Sequence, residues 1–114
     1  MKVNCFEDLV VWKFSKDLSL DIYRLFESST DFGFRDQILR ASISIMNNIA
    51  EGFERKTNNE FKQFLFIAKG SCGELRSMLY IAKETKKINE SEFKVLYDCS
   101  IQISKMLSGL IKKL

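Results

Sequence analysis

One polar arc on the second of four predicted helices carries side chains that could bind a ligand. Arginine, asparagine and glutamine are the residue types that contact phosphates and base edges in nucleic-acid complexes. Two other interpretations stay open: a solvated face with Arg–Glu pairs that stabilise the helix, or a buried polar network that fixes the register between subunits. The arc spans roughly 80° of the helix and consists of Gln37, Arg40, Ser44, Asn48, Glu51 and Arg55.

The composition argues against an enzyme. The chain has no histidine, which removes the commonest general base and the commonest metal ligand. No glycine-rich phosphate loop and no pair of acids in an apolar setting occurs in the sequence. We therefore expect no catalysis, no metal and no other cofactor. The net charge of +3 permits a nucleic-acid partner without arguing for one.

Four segments with helical periodicity must position these side chains. They run over residues 7–27, 34–54, 58–86 and 90–113, and the short breaks between them contain no proline. Thr57 with Glu60, and Asn89 with Glu92, are typical of helix starts. Short connections favour antiparallel neighbours. The sequence therefore predicts an all-α, antiparallel, up-down-up-down four-helix bundle, with residues 1–114 as one domain.

The chain carries no sign of a membrane or an export segment. No apolar run approaches the ~20 residues of a membrane span, and the N-terminus lacks the apolar core of a signal peptide. We expect a cytoplasmic protein that has no membrane partner.

Three of the helices carry more apolar surface than one bundle can bury. Gly70 and Gly73 lie opposite the core side of the third helix, where small residues would let another backbone approach. A kink or a pair of tolerated glycines is the alternative. The pattern predicts a homo-oligomer built through the outer faces of the first three helices. The interface candidates are Leu9, Trp12, Leu20 and Tyr23 on the first helix, and Phe66, Gly70, Gly73, Ser77 and Tyr80 on the third.

In the predicted bundle, basic residues gather at one end, where they could neutralise phosphates. Acidic side chains at the same end, among them Glu7, Glu54 and Glu60, dilute this charge. The basic group consists of Lys2, Arg55, Lys56, Lys62, Lys112 and Lys113. With Arg40 and Asn48 of the polar arc, all of these except Lys2 form the set of candidate nucleic-acid-binding residues.

Two segments resemble a known family. They are "QILRASISIMNNIAEGFER", residues 37–55, and "FKQFLFIAKGSCGELRSMLYIA", residues 61–82, and the opening "FEDLVVWKFSKDL" matches as well. The resemblance is to the 23S rRNA intervening-sequence proteins, also called S23 or four-helix-bundle proteins, and it covers nearly the whole chain. It implies an antiparallel four-helix bundle that assembles into a homopentameric ring.

The resemblance also suggests partners. Genes for these proteins lie in insertions within bacterial large-subunit rRNA genes. A related branch serves as the accessory protein of diversity-generating retroelements and contacts a reverse transcriptase and nucleic acid. Two hypotheses follow: a ring that binds RNA or other nucleic acid, or an oligomeric adaptor for a protein such as a nucleic-acid enzyme.

Overall fold

The structure, a computed structural model, describes residues 3–114. A 3₁₀ turn at Phe6–Asp8 precedes four helices, α1 (Val10–Phe26), α2 (Phe32–Phe53), α3 (Asn58–Glu84) and α4 (Glu90–Lys113). No strand occurs between residues 3 and 114. The helices pack into a body of 42 × 22 × 19 Å. The predicted all-α fold is confirmed.

The chain reverses at each connection, so the bundle has two distinct ends. At the loop end, where α1 joins α2 and α3 joins α4, Lys87 Nζ lies 3.2 Å from Asp31 Oδ2. At the other end, called the terminal end here, the start of α1, the α2–α3 turn and the end of α4 meet. There Leu9 and Val10 border the same cleft as Leu110 and Lys113.

The core consists of aliphatic side chains spaced three and four residues apart on each helix, as an amphipathic helix requires. Four serines are buried with them, and three of these donate their hydroxyl to a carbonyl of the preceding turn, as Ser15 does to Val11 at 2.7 Å. These small side chains let the helices approach without leaving most of the hydroxyls unpaired. The largest fully buried side chains include Leu18, Ile22, Phe26, Ile38, Ile45, Ile49, Leu65, Leu75, Leu79, Ile103 and Leu107.

The helix ends follow local capping chemistry. Asn89 and Glu92 form a complete capping box, whereas Thr57 accepts from the Glu60 amide while its own hydroxyl donates to the Glu60 carboxylate. The predicted start of the first helix is wrong, since α1 begins at Val10.

Leu9 is also misplaced by the sequence pattern. It has an extended backbone before α1 and is only 9% exposed, within the core. Because Leu9 is not helical, its position on a helical projection does not apply. Its assignment to the outer, interface stripe is wrong.

Helices α2 and α3 approach each other closely at Gly52. A Cβ on this residue would lie 2.6 Å from the Phe64 Cβ and 3.3 Å from the Phe61 carbonyl oxygen. Real Cβ atoms do not approach so closely, so α2 and α3 need a glycine here. Gly70 and Gly73 differ, since a Cβ on Gly70 would meet nothing within 4 Å and one on Gly73 only the Arg76 side chain.

Candidate nucleic-acid interface

The polar arc of α2 is largely bonded within the protomer. The Asn48 amide donates to the Ser44 carbonyl at 2.7 Å and to the Ser44 hydroxyl at 3.0 Å. Ser44 in turn shares a 2.8 Å hydrogen bond with Ser71 of α3. Asn48 is half-buried and its amide group is already hydrogen-bonded within the protomer. These bonds favour a structural role for this part of the arc over ligand binding.

Arg40 is exposed, and it is the member of the arc whose side chain has no hydrogen-bond partner within residues 3–114. No carboxylate in residues 3–114 lies within 4.0 Å of it. It borders an open groove of about 430 Å³ with Tyr23, Leu39, Ile43 and Asn47. Because α2 continues to Phe53 at about 1.5 Å per residue, Arg40 lies about 20 Å from the basic residues of the terminal end.

The structure gathers the other candidates at the terminal end, as the sequence predicts. Arg55 is the most constrained of them, since its guanidinium lies 3.1 Å from the Glu51 carboxylate and 4.7 Å from the centre of the Phe64 ring. Lys56, Lys112 and Lys113 are exposed and Lys62 is half-buried. Lys2 lies outside the described residues.

A larger basic surface begins at this end and runs along α3. Lys62, Lys69, Arg76 and Lys83 follow one another at intervals of seven residues. Seven residues are nearly two full helical turns, so the row drifts by only about 20° per step and extends for about 31 Å. The row lies beside α4, because the Nζ of Lys83 is 4.3 Å from the centre of the Phe93 ring in that helix.

The outward face of α4 continues this surface with further lysines. Lys94 pairs with Asp98 at 2.9 Å, and Lys83 approaches Glu90 at 3.9 Å. The remaining cations have no ion pair within the described part of the chain. The set, named the α3–α4 basic face here, comprises Lys62, Lys69, Arg76, Lys83, Lys94, Lys105 and Lys112.

An aromatic cluster interrupts the α3–α4 basic face near the loop end. Tyr80 packs against Phe93 with ring centres 5.2 Å apart and against Tyr97 at 5.9 Å. The Tyr80 ring is nevertheless 46% exposed. Cations alternating with accessible aromatic rings are typical of surfaces that bind nucleic acid.

Sequence reasoning missed most of this surface. Lys62 and Lys112 were among the candidates for the basic end, but Lys69, Arg76 and Lys105 were not. The signal was present as the seven-residue repeat of cations on α3. The apolar pattern of the same helix separates its core side from its outer side, but it does not reveal a row of cations along that outer side.

The outer-face candidates fall into two groups. Leu20 and Tyr23 on α1, and Phe66, Gly70 and Ser77 on α3, are exposed, and Gly73 is half-buried. Trp12 is half-buried, with its ring edge-to-face against Phe6 at 5.2 Å. Tyr80 turns towards α4 and belongs to the aromatic cluster.

The thiol of Cys72 is held protonated in the core. Cys72 is fully buried and donates to the Ser100 carbonyl at 3.1 Å. Burial raises the pKa of its thiol from the ordinary 9.0 to about 11. A thiol with so high a pKa is a poor nucleophile near neutral pH.

Two kinds of feature are absent from residues 3–114. Residues 3–114 contain no cluster of three His, Cys, Asp or Glu side chains suited to a metal ion. Within the same residues, none of the helices combines the length and apolar character needed to cross a membrane.

Together these features define an antiparallel four-helix bundle with one basic, aromatic-bearing face. The chain belongs to the family described as 23S rRNA-intervening sequence protein, which it matches over residues 7–109. No curated protein matches it. It is similar to a protein of unknown function from the S23 ribosomal protein family of Bacteroides thetaiotaomicron VPI-5482, known from a crystal structure at 1.70 Å resolution. The TM-score is 0.84 and the identity 27%, over 90% of this chain and 99% of that one.

Proposed function

We propose that this protein is a non-enzymatic nucleic-acid-binding protein, with RNA as its first candidate ligand. The observation that carries the proposal is the α3–α4 basic face. Its cations lie on rigid helices, and only Lys83 and Lys94 have carboxylate partners in the described chain. Unpaired lysines in a row can neutralise successive phosphates and release their counterions. The protein would act in the cytoplasm, where its three free cysteines would stay reduced.

We further propose that the protein works as a homo-oligomer, with the pentameric ring of the family as the expected assembly. Support comes from large apolar side chains on the outer side of α3, where Phe66 is 55% and Ile81 53% exposed. Monomers rarely leave such groups uncovered in one patch. A ring would repeat the α3–α4 basic face in every subunit and so multiply its phosphate contacts.

The same apolar side chains support a second function. If they remain uncovered after assembly, the oligomer would present a repeated groove to a protein partner. That partner could be a nucleic-acid enzyme, and the protein would then be an adaptor.

Binding to labelled RNA across a salt series tests the first function. We expect affinity to fall steeply as salt rises, because condensed counterions are released on binding. Lys69→Gln with Lys105→Gln should weaken binding by similar factors for unrelated sequences, since phosphate contacts carry no sequence information. Arg55→Gln with Lys56→Gln tests the terminal end in the same way.

The matched control is Lys13→Gln, which removes an exposed lysine from α1 and should leave affinity nearly unchanged. Absence of binding at low salt to duplex, hairpin and single-stranded RNA or DNA would exclude the proposal. Purification of the oligomer with a stoichiometric protein partner would then favour the adaptor.

A further inference from the structure

Arg76 is the unusual cation of the α3–α4 basic face. Its side chain is half-buried, and its Nη1 is fully shielded from solvent without a hydrogen-bond partner. No carboxylate in residues 3–114 lies within ion-pairing distance. Nη1 is closed to a ligand from outside the protomer, whereas Nη2 is neither fully shielded nor hydrogen-bonded within residues 3–114. Nη2 is therefore the donor that an external anion can reach.

Gly73 leaves one side of this guanidinium uncovered. A Cβ on Gly73 would lie 3.9 Å from Arg76 Nη2, and it would meet no other atom that close. The side chain of any larger residue would extend over the guanidinium from this position. The absence of a side chain at Gly73 therefore gives an anion an approach to Arg76 from the outer side of α3.

An aromatic platform lies one helical turn further along. Residues four apart are neighbours on a helix surface, so Tyr80 lies beside Arg76. Phe93 and Tyr97 of α4 support the Tyr80 ring, and Lys83 Nζ lies 5.7 Å from the ring centre. A supported ring that is still partly exposed can stack against a flat group without first being ordered.

We propose that this segment of the α3–α4 basic face binds single-stranded nucleic acid, with a backbone phosphate on Arg76 and a neighbouring base stacked on Tyr80. The inference rests on the proposed function and makes it more specific. A duplex can place phosphates on lysines, but its paired bases cannot reach an aromatic ring. A single strand can use both features at once.

Fluorescence anisotropy with labelled U20 and with a 20-base-pair RNA duplex at the same low salt tests the inference. U20 should bind about tenfold or more tightly than the duplex, as expected for a stacked base. Tyr80→Leu should weaken U20 binding roughly tenfold and change duplex binding less than twofold, while Tyr80→Phe should keep most of the U20 affinity.

Arg76→Gln should weaken U20 binding more than Lys13→Gln, the control on α1. Circular dichroism and light scattering on each variant establish that fold and oligomer are intact. Equal binding of U20 and duplex, with no effect of Tyr80→Leu, would overturn this inference and leave the proposed function standing. Loss of the oligomer in Arg76→Gln without nucleic acid would overturn it too, because the anion on Arg76 would then belong to another subunit. No binding of either probe would overturn this inference, and no binding of hairpin RNA and of DNA as well would overturn the proposed function itself.

Discussion

At the scale of single residues, Lys86 adopts a conformation that the sequence gives no reason to expect. It has φ = 62°, the only positive φ of a non-glycine residue in the described chain. The end of α3 requires it, because Lys86 N donates to the Lys83 carbonyl at 3.0 Å and Lys87 N to the Ala82 carbonyl at 2.8 Å. This arrangement is a Schellman motif, in which glycine normally occupies the left-handed position.

Replacing Lys86 by glycine should therefore stabilise the protein. The left-handed conformation costs an L-residue about 1–2 kcal/mol, and the greater freedom of glycine in the unfolded chain offsets roughly half of that. We expect the free energy of unfolding in urea to rise by about 0.5–1 kcal/mol. Lys86→Gln, which removes the charge but keeps the strained conformation, is the control and should change little. A rise of equal size in both variants would assign the effect to charge.

The buried Cys72 thiol should make the fold sensitive to alkaline pH. Its pKa is raised from 9.0 to about 11 by burial, so between these values the unfolded chain loses its proton before the folded one does. Stability is then fully present below pH 9 and declines towards pH 11, by at most about 1.4 kcal/mol per pH unit. Thermal melts from pH 8 to 10.5 should show a shallower decline in Cys72→Ala. Parallel declines in the two proteins would contradict the assignment.

At the scale of helices, the packing of α2 on α3 depends on one glycine rather than on the two in α3. Gly52 lies against Phe61 and Phe64 just before the α2–α3 turn. The backbones of α2 and α3 approach each other here, whereas a Cβ added at Gly70 or Gly109 would meet no atom within 4 Å.

Gly52→Ala should separate the two helices or strain their side chains. We expect the free energy of unfolding to fall by about 1–3 kcal/mol, even though alanine is the better helix former. Gly109→Ala is the matched control, since it lies in a helix with nothing within 4 Å, and it should add about 0.5–1 kcal/mol. Urea unfolding measures both. Stabilisation of Gly52→Ala would show that α2 moves freely against α3.

At the scale of the whole molecule, the outer side of α3 has no partner within the protomer. Gly70 lies there with exposed Phe66 and Ile81. Open space over a helical glycine is consistent with a second subunit whose backbone approaches closely, and equally with a glycine that is merely tolerated.

Leucine at Gly70 separates these two alternatives. Leucine is the better helix former, so Gly70→Leu should keep the helix content while it sterically excludes a neighbouring subunit. Light scattering at micromolar concentration should give an oligomer for the wild type and a smaller species for Gly70→Leu. Gly109→Leu, on α4, should keep the wild-type mass. A monomeric wild type would end the assembly proposal, and normal assembly of Gly70→Leu would show that Gly70 is only tolerated.

Local patterns in the sequence determined the helices of this protein. Asn89 and Thr57 mark helix starts that the structure reproduces to the residue, because capping involves only neighbours along the chain. The α3 core residues, such as Leu65, Cys72 and Leu79, also follow from spacing alone and are fully buried. The burial of Leu9 could not be predicted in this way, because Leu9 lies just before α1, where helical spacing does not apply.

Tertiary structure decided what the surface residues do. Asn48 and Arg40 are both ligand-binding candidates in the sequence. In the structure the Asn48 amide donates to Ser44 of its own helix, and α3 completes this small network through Ser71, whereas Arg40 stays exposed. Only the pairing of α3 with α4 joined Arg76 and Tyr80 to Phe93 and Tyr97 in one surface. A sequence records which face of a helix is polar. Which neighbouring helix completes that face depends on contacts between residues far apart in the chain, and those exist only in the folded molecule.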